Sequence, residues 1–101
     1  MANKLMGLYE EGMELVEEAS EISKRLGDVV EEARCLVALA SLLRSTKQLD
    51  AAEETASRAI DLLPEKGEQL YVCQGHRVLG DIYHSKGDTE KAIHQIGRAH
   101  V

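Results

Sequence analysis

The side chains in this sequence that could do chemistry fall into two groups. Cys73 and His76 stand three residues apart, on one face of any helix that carries them, with His84, His94 and His100 downstream. Sulfur and imidazole suit zinc, but a structural zinc site closes with four converging ligands and the spacing here supplies one pair. The second group is Glu10, Glu11, Glu14, Glu17 and Glu18. On a helix these make a solvated acidic face, and the ligand pattern of an EF-hand loop is missing. No G-x-S-x-G elbow and no G-x-x-x-x-G-K-[ST] phosphate loop occurs, and no Ser/His/Asp set can be argued. Cys35 and Cys73 read as small buried apolar residues and not as nucleophiles. The expectation is a non-catalytic chain, not an enzyme, with no metal and no cofactor.

The elements that carry these residues read as helices throughout. The chain has 101 residues, 44% of them apolar, with no Phe or Trp, three Tyr and one Pro. A core must then come from Leu, Ile, Val and Ala, which suits close helix–helix packing. The formal charge is −6, and residues 1–32 carry all of it. An acidic chain without a basic stripe is a poor partner for nucleic acid or for an anionic membrane. The apolar run from Cys35 to Leu43 is too short to span a bilayer, and no secretory leader is legible at the N-terminus. Two distant cysteines fit a reducing, cytoplasmic setting better than a disulfide framework.

Displaced by forty residues, the sequence matches itself. Arg34 to Ser45 falls on Gln74 to Ser85; Gly12, Ala52 and Ala92 coincide, as do Ala19 and Ala59. A fixed period of this size marks stacked supersecondary units. The periodicity predicts five helices, at about Leu8–Arg25, Val29–Ser45, Asp50–Leu63, Glu68–Ser85 and from Thr89 onward. Gly27 and Gly87 supply left-handed stops, Asp28 with Glu31 reads as a capping box, and Pro64 halts helix three. Lys47 stands at the turn where Gly7 and Gly87 stand one period away, so that corner is reshaped or strained. Gly12, Ala19, Ala40, Ala52, Ala59, Gly80 and Ala92 are expected at helix crossings, where only small side chains fit.

Leu79-Gly80-x-x-Tyr83 with Gly87-Asp88 and Ala92, and Leu39-Ala40-x-x-Leu43 with Ala52, Ala59 and Pro64, resemble the tetratricopeptide repeat (TPR). HEAT-type repeats have similar periods, but the small-residue pattern favours TPR. Two features depart from the family: Leu36 and His76 replace its early bulky aromatic, and the period of forty is longer than the basic one. The resemblance implies an all-α, right-handed superhelix of antiparallel hairpins, about two and a half repeats: a half-repeat over 7–27, a repeat over 28–67 and a partial repeat over 68–94. At a finer level the segments EARCLVALASLLRS, PEKGEQ and VCQGHRVLGDIYHSKGDTEKAIH are similar to repeats of fungal STAND-type signalling ATPases, which implies sensor repeats attached to a switch.

The family implies a protein- or peptide-binding module, within a larger signalling or scaffold protein, whose inner surface is lined by the first helix of each hairpin. Carried onto this sequence, that surface is Arg34, Val37, Ser41, Arg44 and Ser45 on helix two, and Gln74, Arg77, Asp81, His84 and Ser85 on helix four. Its arginines suit an acidic or carboxylate-bearing ligand. The asparagines with which one TPR subgroup holds a C-terminal carboxylate are missing. Residues 95–101, QIGRAHV, resemble a translated sequencing adapter, and are expected to be a non-native tail or a frayed helix end. With helix five short, an exposed apolar strip and self-association are expected at the C-terminal end.

Overall fold

The computed structural model describes residues 4–63 and 69–99, with side chains described over 7–63 and 72–99. These residues form five helices: α1 (Lys4–Leu26), α2 (Val29–Ser45), α3 (Leu49–Leu62), α4 (Gln69–Lys86) and α5 (Thr89–Ala99). No strand occurs among the described residues. The expected stop at Pro64, the linker glycine Gly67, the first residue of helix four (Glu68) and His100 lie outside them.

Three turns share one construction. At the end of α1, the Gly27 amide donates to the Lys24 carbonyl and the Asp28 amide to that of Ser23, at 3.1 and 2.9 Å. The same pair of bonds closes α2 through Lys47 and Gln48, and α4 through Gly87 and Asp88. This is the Schellman arrangement, which needs a left-handed residue at its centre. Gly27 and Gly87 adopt φ of 73° and 84° without cost, and Lys47 adopts 66°. The Lys47 corner is therefore strained and not reshaped. The repeat keeps its turn geometry at a position where an L side chain costs about 1–2 kcal/mol.

After the two glycine turns a carboxylate starts the next helix: Asp28 Oδ1 accepts from the Glu31 amide and Asp88 Oδ1 from the Lys91 amide, both at 3.1 Å. The capping box at Asp28 is only half formed, because Glu31 turns away to Arg34. Gln48 precedes α3 with no side-chain cap, so α3 starts at Leu49, one residue before the expected Asp50.

Helices joined by two- or three-residue turns and packed on one another run antiparallel. Each helix packs against its neighbours in sequence, and α2 also touches α4. By contrast α1, α3 and α5 make no such contact with one another. One layer, α2 with α4, is thus closed up while the other is fanned apart. The body they form is 45 × 38 × 17 Å, two helices thick, with α2 and α4 on its inner side.

Small side chains make that closeness possible. Ala40, Ala52 and Ala56 are fully buried beside Leu79 and Ile82, and Ala59 is buried with Leu36 and Val37. Gly80 lies against α5, where an added Cβ would sit 3.2 Å from Ile96 Cγ1 and 3.4 Å from the Ala92 carbonyl oxygen. Gly12 and Ala19 are only half-buried, Gly12 beneath the Leu42 methyl groups. Gly75, Ala33 and Ala56 also serve as close-packing positions, which periodicity alone did not single out. Helix α5 is the shortest of the five and runs on through Gln95 to Ala99, with Gln95 and Ile96 packed on α4.

Candidate partner-binding face

Of the α2 and α4 residues that the family resemblance carries to a binding face, all but one keep some exposure. On α2, Arg34 and Ser45 are exposed and Ser41 and Arg44 half-buried; on α4, Gln74, Arg77, His84 and Ser85 are exposed and Asp81 half-buried. Val37 is the correction. It is buried in the cluster formed with Leu36 and Ala59, against Val78, and its methyl lies near Gly75. Its place on the wheel points it at α4, and an apolar side chain between two closely packed helices is core, not ligand surface. Ala38 takes its place on the open face, exposed four residues after Arg34. That spacing was the available signal for it.

The arginines are not equivalent. Arg34 is held by Glu31, its Nε donating to Glu31 Oε2 at 3.0 Å and Nη2 to the other carboxylate oxygen. The guanidinium keeps the Glu31 carboxyl below the usual carboxylate range. Arg77 stands at the open edge of α4, where it lines a hollow of about 240 Å³ with Asp81, Ile96 and Ala99. A smaller recess beside it adds Cys73 and Gln74. The α4 half of the face thus turns partly toward the C-terminal helix.

The metal-type residues do not converge. His76 is buried, its Nδ1 2.7 Å from Gln95 Oε1 on α5, and Cys73 is half-buried. Among the described residues no group of three or more His, Cys, Asp or Glu side chains is placed to hold a metal ion. Cys35 is buried beside Ser23, and desolvation pushes its thiol pKa up, which disfavours the thiolate. At the far end of the face, Lys86 Nζ holds Asp50 Oδ1 at 2.7 Å and Glu53 Oε1 at 2.9 Å, tying α4 to the start of α3. No described helix is long and apolar enough to cross a membrane.

A two-layer array of antiparallel hairpins with a closed-up inner layer defines a helical repeat scaffold, the class that displays surfaces to other proteins. The family profile described as tetratricopeptide repeat matches residues 1–65, and a second profile of that description matches residues 78–99. The chain belongs to the tetratricopeptide repeat family, and is a protein-interaction repeat module. No curated protein and no solved structure matched it.

Proposed function

We propose that the open face of α2 and α4 binds a peptide segment rich in carboxylates. The observation that supports this reading is charge: Arg44 and Arg77 occupy the face with Asp81, beside an Arg34 that is paired with Glu31, in a chain of net charge −6. Guanidinium forks bind carboxylates in pairs, and Ser41, Ser45, Gln74 and Ser85 add hydrogen-bonding groups around them. Such a module works by holding a partner within a larger signalling or scaffold protein in the cytoplasm.

A triple variant, Arg34→Ala/Arg44→Ala/Arg77→Ala, tests the face by partner capture on immobilised glutamate-rich peptides. Capture reduced at least about tenfold, as the loss of several charge-assisted bonds requires, supports the reading; unchanged capture refutes it. The similarity of the α2 and α4 segments to STAND-type repeats favours a second reading, in which the array holds an attached switch ATPase inactive. An upstream phosphate-loop domain in the gene decides for that reading.

A further inference from the structure

The fanned outer layer leaves a cleft that is separate from the α2–α4 face. Helices α1 and α3 both pack on α2 but make no contact with each other, so the cleft runs between them with α2 as its floor. Two hollows of about 260 and 280 Å³ lie along it and meet at Glu17. Leu43 floors the first, and Leu36 and Leu39 floor the second.

The repeat shows that this cleft is open whatever stands before α1. Its equivalent one period on lies between α3 and α5 over α4. Among the described residues α2, the helix before α3, reaches α3 and α4 without touching α5, and α1 touches neither α4 nor α5. The helices ahead of α3 therefore leave that second cleft uncovered. Units of an array contact only their neighbours, so helices ahead of α1 would leave the α1–α3 cleft uncovered in the same way.

One wall of the cleft is a row of acids. Glu10, Glu14, Glu17 and Glu21 line the hollows from α1, and all four are exposed. Among the described residues none of them pairs with a base. Four bases stand in the neighbourhood: Lys24 and Arg25 in the last turn of α1, Lys47 in the α2–α3 turn, and Arg58 on α3. Only Arg58 lines the cleft, in the second hollow with Glu17 and Glu21. The first hollow holds three glutamates and no base, with the neutral Gln48 on its other side.

Size and spacing select the occupant. One turn of helix, about 10 Å across and 5.4 Å long, fills roughly 400 Å³, more than either hollow offers. An extended chain is thinner, and its alternate side chains recur on one face every ~6.6 Å. Along α1 the glutamates succeed one another at about 6, 4.5 and 6 Å, a spacing that flexible lysine or arginine side chains can follow.

We propose that the α1–α3 cleft docks an extended segment of a partner protein with lysine or arginine at alternate positions. The glutamates receive the bases, the leucine floor meets the side chains between them, and Arg58 keeps further bases out of the far end. The preferred charge is opposite to that proposed for the α2–α4 face, and the argument does not rest on that face.

The test uses the full chain and dye-labelled six-residue peptides, followed by fluorescence anisotropy up to about 1 mM protein. A peptide of alternating lysine and alanine binds, more weakly as salt rises, and at least about threefold more tightly than one with its three lysines in succession. Glu14→Gln/Glu17→Gln weakens that binding at least about tenfold. Glu11→Gln/Glu18→Gln removes the same charge from the side of α1 outside the cleft, and changes binding by less than about twofold. Arg58→Glu tightens it. All these side chains are exposed, so the melting temperature serves as the check that each variant is folded. No binding, equal losses in the two glutamine variants, or no preference for the alternating peptide overturns the proposal.

Discussion

His76 Nδ1 and Gln95 Oε1 meet at 2.7 Å across the interface of α4 and α5. His76 falls one period after Leu36 and Gln95 one period after Thr55, so a polar pair stands where the preceding hairpin has one apolar and one hydroxyl side chain. The imidazole is 4% exposed, and Gln95 supplies its partner from the next helix. Gln95→Ala leaves a buried ring nitrogen unpaired and is expected to cost about 1–3 kcal/mol in urea unfolding. His76→Leu/Gln95→Leu, which replaces both polar partners by apolar side chains, is expected to recover most of that loss. If the double variant is as unstable as Gln95→Ala, the pair is not a substitute for apolar packing.

Lys47 holds a left-handed backbone that two glycines hold elsewhere in the array. Lys47→Gly removes the steric cost and adds chain entropy to the unfolded state. The net expectation is a gain of up to about 1 kcal/mol, seen as a higher urea midpoint with an unchanged slope. A loss would mean that Lys47 contributes something other than its turn.

Gly75 and Gly80 both face a neighbouring helix, but with different room. A Cβ on Gly75 would lie 2.8 Å from Ile60 Cγ1, a branch close to the backbone of α3, whereas Gly80 would meet Ile96 Cγ1 at 3.2 Å. Each Gly→Ala change gains helix propensity of about 1 kcal/mol. For Gly75→Ala the clash outweighs that gain and the protein is destabilised by about 1–2 kcal/mol; Gly80→Ala is milder. Thermal melts of the two variants side by side check the order.

Lys86 binds two carboxylates of α3, and its ammonium holds Asp50 below its ordinary carboxyl range while its own pKa is raised. A depressed Asp50 contributes stability above its unfolded pKa, and that contribution is lost as pH falls through the folded value, into and below the usual carboxylate range near ~4. The lysine's own contribution is lost at the opposite extreme, as pH rises past its raised value. These groups are solvated, so salt screens the effect. Lys86→Met is expected to flatten the stability–pH curve on the acid side at low salt, and a curve parallel to that of the unaltered protein contradicts the link.

Much of this fold was legible because local signals agreed with the period. Gly27 and Gly87 placed two turns, Asp28 placed a cap, and Ala40, Ala52 and Ala59 lie buried where their spacing put them. Val37 was misplaced because a helical wheel gives direction without saying how closely the next helix approaches. The burial of Gly75 is likewise a property of Ile60 across the interface. The exposure of Leu8, Leu15 and Ile22 on α1 was hidden by the glutamates between them, which read as an ordinary solvated face. The last turns of α5 gain support from α4, through His76 and Gly80, which sequence spacing alone does not show.

The central claim is that the closed-up layer of α2 and α4 presents a partner-binding face. Amide chemical shifts of the ¹⁵N-labelled chain, followed during titration with a glutamate-rich peptide, test it residue by residue. The account predicts shifts concentrated at Arg34, Ser41, Arg44, Gln74, Arg77 and Asp81, and lost in the triple arginine variant. Shifts confined to α1, α3 or α5, or none at any peptide concentration, would contradict it.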